Sequence, residues 1–140
     1  MNVEIVGKQV FVDGVLATRK RLEKSSHCRE IFYTDKYVIK VSFPDMAYFG
    51  DFSQTEREFS LWKKINKGDK LFFAKPIYLS KRRHFGIYER VFPTRHHRTH
   101  ETVLTLHKVC KKYKLMDVLW RTDNWVMIGK DMPKILDYGV

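Results

Sequence analysis

Val38-Ile39-Lys40-Val41 is a short β-branched run with one lysine inside it. It closes the stretch Arg29-Glu30-Ile31-Phe32-Tyr33-Thr34-Asp35-Lys36-Tyr37-Val38-Ile39-Lys40-Val41, which predicts two strands around a turn. Period two puts Val38 and Lys40 on one face and Ile39 and Val41 on the other. A long amine on an inner sheet face is costly unless something negative meets it. The chain must supply that group elsewhere.

The first acidic candidate lies just downstream. Ser53-Gln54-Thr55-Glu56 has the spacing of a capping box. It predicts a helix to about Asn66-Lys67-Gly68, with glycine as the stop. Glu58, Leu61, Trp62 and Ile65 share one face of that helix. Glu58 is then an acid on the apolar side, and Lys40 is its candidate partner. Between strand and helix, residues 44–52 read as a loop carrying Tyr48, Phe49 and Phe52.

Upstream, Val3, Ile5, Val10 and Val12 followed by Asp13-Gly14 predict a small β-hairpin over residues 3–17. Arg19-Lys20-Arg21 and Lys24 read as a solvated basic face. Ser25-Ser26-His27-Cys28 is either an ordinary turn or a loop offering N–H groups and hydroxyls to phosphate.

Downstream, residues 71–73, 76–79 and 85–91 read as strands, with Lys81-Arg82-Arg83-His84 in an exposed turn. Arg95, His96, His97, Arg98 and His100 fall in a loop. Its H-H-x-x-H spacing includes no carboxylate or cysteine, so it reads as a basic loop that gains charge near pH 6 rather than a metal site. Thr99 predicts the cap of a helix to about Tyr113, with Leu106, Val109, Cys110 and Tyr113 as its apolar stripe. Cys110 is then a core thiol. The remainder reads as loop, strand, turn, strand. Asn124 and Asp137 flank that last hairpin, where their oxygens suit a hard cation.

The chain has 140 residues, which fits one domain. Its 44% hydrophobic and 14% aromatic content is enough for a core and argues against wholesale disorder. Lys and Arg number 27 against 16 Asp and Glu, a net charge of +11 that favours polyanionic partners. Two cysteines without a CxxC argue against a cysteine-based zinc site and a disulfide framework. No run approaches the ~20 apolar residues needed to span a bilayer. Met1-Asn2-Val3-Glu4-Ile5 is unlike a signal peptide, so a cytoplasmic protein is expected, in a host cytoplasm if phage-encoded.

These features, in this order, resemble the protein-kinase-like fold in a reduced form found in small bacterial and phage proteins. Val38-Ile39-Lys40 resembles the V-A-I-K strand, and Glu58 the helix glutamate that pairs with its lysine. Tyr88-Glu89-Arg90-Val91 is similar to the linker whose backbone receives adenine. Asp117 falls at the catalytic-loop aspartate, and Asn124 at the metal-binding asparagine. Ile135-Leu136-Asp137-Tyr138-Gly139 resembles the D-F-G segment, with Tyr for Phe.

The resemblance implies an α+β fold: an antiparallel sheet with a packed helix, then a helix and a catalytic-loop-like β-hairpin. It implies one domain over residues 1–140, N-lobe-like to about residue 91 and truncated-C-lobe-like over 92–140. It implies ATP and Mg²⁺ as ligands. Lys40 would hold the phosphates and be oriented by Glu58, Asn124 and Asp137 would hold the ion, and Asp117 would be the base. Ser25, Ser26, Val38, Glu89 and Val91 would line the nucleotide.

The chain departs from the family in three places. Ser25-Ser26 stands where a glycine-rich loop would be. Lys114-Leu115-Met116 precedes Asp117 in place of H-R. Asn124 follows Asp117 by seven positions rather than five, so either two residues loop out or Asp123 takes the role. The sequence ends one residue after Gly139, so phosphotransfer is expected to be weak or lost. The alternative is a catalytically inactive basic interaction module, such as a phage-encoded inhibitor of a host protein or a nucleic-acid binder. Lys81, Arg82, Arg83, Arg95 and Arg98 would be its anchors.

Overall fold

The structure is a computed structural model that describes residues 1–20, 29–43, 53–121 and 123–139, with Ser53 and Trp120 described by backbone only. Arg21, Lys24, the Ser25-Ser26 loop, Cys28 and the loop aromatics Tyr48, Phe49 and Phe52 lie outside the described residues, as does the capping side chain expected at Ser53. The chain is α+β, with antiparallel sheets and two α-helices. It forms two compact units, Met1–Glu56 with Pro76–Arg90, and Arg57–Lys75 with Val91–Val140.

The first unit opens with β1 (Val3–Val6), β2 (Gln9–Val12) and β3 (Val15–Leu16), a three-stranded antiparallel sheet. The region expected as a single hairpin is thus two. Gly7 makes the first turn at φ 60°. Asp13 and Gly14, at φ 50° and 80°, make the second, as a tight Asp-Gly hairpin turn requires. Beyond Ala17 come β4 (Thr18–Arg19), β5 (Glu30–Tyr33), β6 (Tyr37–Val41), β7 (Pro76–Ser80) and β8 (Phe85–Glu89). They form a five-stranded sheet in the order β4-β5-β6-β8-β7.

Faces follow period two. Ile39 and Val41 of β6 join Phe32, Phe85 and Ile87 of the same sheet in a core completed by Val3, Val10 and Val12. Val38 and Lys40 occupy the opposite face, as the alternation requires. The turn 81–84 links β7 and β8, where it was expected.

α1 (Ser53–Lys64) begins in the first unit and continues in the second. It ends four residues before Gly68, whose φ is not positive; of the described glycines, Gly7 and Gly14 alone have that conformation. Asn66 turns the chain instead. Its carbonyl accepts from the N–H of Asp69 and Lys70, and its side-chain oxygen accepts from Asp69 N–H at 3.0 Å. The strand expected at 71–73 is a 3₁₀-helix, Lys70–Phe72, followed by a single parallel bridge from Phe73 to Ile135. Bonds from Phe72 and Phe73 N–H to the carbonyls of Asp69 and Lys70 close locally and leave no ladder to extend.

The second unit also holds α2 (His100–Lys112), a 3₁₀-helix at Met116–Trp120, and the hairpin β9 (Trp125–Gly129) and β10 (Met132–Ile135). Thr99 caps α2 as expected, in a reciprocal box with Thr102. Leu106, Val109 and Cys110 enter a core with Ile65, Phe73, Val118, Trp125, Met127 and Ile135, and Tyr113 packs half-buried against it. Among the described residues, no helix is long and apolar enough to cross a membrane.

Candidate functional site

Lys40 belongs to the first unit, and Glu58, Asp117, Asn124 and Asp137 to the second. Lys40 is only 5% exposed. Gly86 faces it directly across the ladder, and Tyr88 lies two residues along on the same face. The Lys40 ammonium stands over the Tyr88 ring, 4.3 Å from its centre, a desolvated cation–π contact. That ring went unread in the sequence, because the contact depends on the β6–β8 register. Val38 pairs with Tyr88 and Tyr37 with Glu89. β8 ends at Glu89, two residues short of the expected end, and Val91 lies beyond it in the second unit.

In the second unit a chain of hydrogen bonds gathers the other candidates. The Asn124 side-chain amide donates to the Val118 carbonyl at 3.3 Å, next to Asp117 in the 3₁₀-helix. The Asn124 carbonyl accepts from Leu136 N–H at 2.7 Å and from Asp137 N–H at 3.3 Å. The following N–H, that of Tyr138, donates to Glu58 Oε2 at 2.9 Å. Glu58 is fully buried and Asn124 nearly so, whereas Asp137 is half-buried and Asp117 exposed. The β9–β10 ladder places Asn124 and Asp137 side by side because one precedes the hairpin and the other follows it.

Their donor set is carboxylate and carboxamide oxygen, which fits a hard divalent cation. Among the described residues no cluster of three or more His, Cys, Asp or Glu is placed to hold a metal. A magnesium ion completed by water and phosphate oxygens needs fewer protein ligands than that.

Tyr138 stands where the resemblance has phenylalanine, and its hydroxyl is in use. It donates to the buried Ala74 carbonyl at 2.8 Å, while its ring meets Phe73 edge-on, with centroids 5.1 Å apart. Burial pushes the Cys110 thiol up to about 11, as suits a core cysteine.

The basic residues divide by what they touch. Arg83 donates to the Val3 carbonyl at 2.7 Å and so ties its turn to β1. Arg98 lies over Trp125 at 3.8 Å and donates to the Trp125 carbonyl at 2.6 Å; burial lowers its pKa. Lys81, Arg82, Arg83, Arg95 and Arg98 are all exposed, and Lys81 makes a long 3.7 Å contact with Glu56. His96 bonds to Thr94 at 2.9 Å, and His97 and His100 are exposed beside it. Arg29 is buried and donates to Thr55 at 3.0 Å, a pairing that no local pattern signals.

Comparison with protein-family models, with curated proteins and with solved structures finds no match to this chain.

Proposed function

We propose that the chain is a minimal protein-kinase-like protein that binds a nucleoside triphosphate with Mg²⁺. One observation carries the reading. Asn124 and Asp137 are joined through the backbone, and the next N–H is held by the buried Glu58. An aspartate and an asparagine whose backbones are hydrogen-bonded, next to a segment held by a helix glutamate, suit the metal end of such a site. Strand order supports it too. Lys40 lies on the third strand of the five-stranded sheet, and the helix carrying Glu58 follows next in the chain, as in the kinase pattern.

In this reading Lys40 would hold phosphate oxygens, and Glu58 would be the acid that the resemblance pairs with it. Asn124 and Asp137 would supply oxygen ligands to the ion, whose positive charge would offset that of the phosphates. Asp117 accepts the proton of an attacking hydroxyl where transfer occurs. Calorimetric titration with ATP and Mg²⁺ tests this. Saturable binding is expected, abolished by Lys40→Met and by Asp137→Ala with the fold retained. Absence of binding at millimolar nucleotide overturns the reading.

A second reading, a basic interaction module for nucleic acid or an acidic protein, is favoured by the exposed turn holding Lys81 and Arg82. Its binding would fall steeply with salt. It would survive Lys40→Met and be lost on charge reversal at positions 81–83.

A further inference from the structure

A groove of about 300 Å³ lies wholly within the second unit, and none of Glu58, Asp117, Asn124 or Asp137 lines it. Half-buried Leu61 and the buried Leu115 and Tyr138 supply apolar lining. Around it stand three cations, Arg57, Lys64 and Lys114. Arg57 is fixed by donating through Nε and Nη2 to the Gly139 carbonyl, at 3.3 and 3.1 Å. One wall is Tyr113, whose hydroxyl is anchored to Asp69 at 2.6 Å.

Lys114 is held there against its backbone preference. It follows the C-cap of α2 at φ 59°, the left-handed position where glycine is usual. Leu115 N–H reaches back to Cys110 and Lys114 N–H to Lys111, at 2.7 and 3.3 Å, which completes a Schellman motif. Glycine would satisfy every one of those backbone bonds. What lysine adds is an amine beside the groove, and a non-glycine residue in this conformation is a reason to look for a role.

We propose that this groove docks an acidic peptide segment, with one apolar side chain on Leu61 and flanking carboxylates on Lys64, Lys114 and Arg57. Its volume of about 300 Å³ exceeds that of a single leucine side chain, so a short peptide segment fits. Charge complementarity selects the class of partner, because three cations converge on one apolar patch in a chain of net charge +11. A nucleic acid would match the charge and the Tyr113 ring, but it has no aliphatic side chain to set on Leu61 and Leu115.

The test is fluorescence anisotropy with a labelled peptide, a leucine between two glutamate pairs, titrated with the full chain. Saturable binding is expected. It should weaken about tenfold, the equivalent of one charge-assisted hydrogen bond, in Lys114→Gly. That variant keeps the backbone motif, so an unchanged circular dichroism spectrum separates lost binding from lost fold. Replacing the peptide leucine by serine should weaken binding as well, whereas Arg82→Glu in the first unit should leave it unchanged. Equal binding by Lys114→Gly, or by the serine peptide, overturns the proposal. So does a single-stranded oligonucleotide that binds more tightly than the peptide and loses its binding in the same variant.

Discussion

The buried carboxyl of Glu58 accepts a hydrogen bond of 2.9 Å from the backbone N–H of Tyr138, the residue after Asp137. A helix side chain thereby holds a segment 80 positions away in sequence. Glu58→Ala leaves that N–H unpaired and opens a hole where the side chain is fully buried. A loss of about 2–4 kcal/mol is expected from the orphaned donor and the cavity together. Glu58→Gln keeps an acceptor and the volume, so it should lose clearly less. Urea denaturation of the two variants measures the difference, and equal losses would remove the hydrogen bond as the cause.

Tyr138 gives a second, independent handle on the same segment. Its hydroxyl donates to the Ala74 carbonyl inside the core. Tyr138→Phe keeps the edge-on contact with Phe73 and removes only that bond. A loss of about 1–2 kcal/mol is expected, with the fold intact. An unchanged or raised denaturation midpoint would mean that the hydroxyl does not hold this segment.

What the sequence reveals and what it conceals divide along physical lines. The β5–β6 hairpin and α2 are legible because period two and the Thr99 cap act within a few residues. The burial of Glu58 is legible too, since helical phase puts it with Leu61 and Ile65. Leu71-Phe72-Phe73 has no period to distinguish a strand from a turn, and Asn66 and Asp69 decide it through local bonds. The Tyr88 ring beneath Lys40 and the bond from Tyr138 to Ala74 depend on strand register and chain packing, which one-dimensional spacing does not carry.

Cys110 should be chemically silent while the chain is folded. It is fully buried, and burial pushes its thiol up to about 11, so little thiolate exists at pH 8. In a Cys28→Ser background, a disulfide-exchange reagent should label the native chain far more slowly than the urea-unfolded chain. Equal rates in the two states would refute the core assignment of α2.

Lys114→Gly should raise stability by about 1 kcal/mol, because a side chain in the left-handed conformation is disfavoured by about that much. Thermal denaturation reads it directly. Lys114→Ala should not share the gain, since alanine keeps the Cβ that causes the cost. If both variants melt alike, the left-handed backbone is not what the lysine opposes.

Asp69 ties the turn after α1 to the end of α2 and should show as a pH-dependent contribution. The Tyr113 hydroxyl at 2.6 Å, then the Lys112 ammonium at 2.9 Å, hold its carboxyl below the usual carboxylate range. A carboxyl depressed by folding stabilises fully above its unfolded value, and that share is lost as pH falls through the folded value. The stability gap between the parent chain and Asp69→Asn should therefore be constant from neutral pH to about pH 5 and shrink below about pH 4. Lys112 sets the alkaline limit. Its hydrogen bond to Asp69 raises its pKa, so its share of the same gap should fade only as pH rises above its ordinary value of 10.5. Chemical denaturation of both proteins across that pH range checks the sign. A gap that widens in acid would mean that Asp69 is not held ionised by these partners.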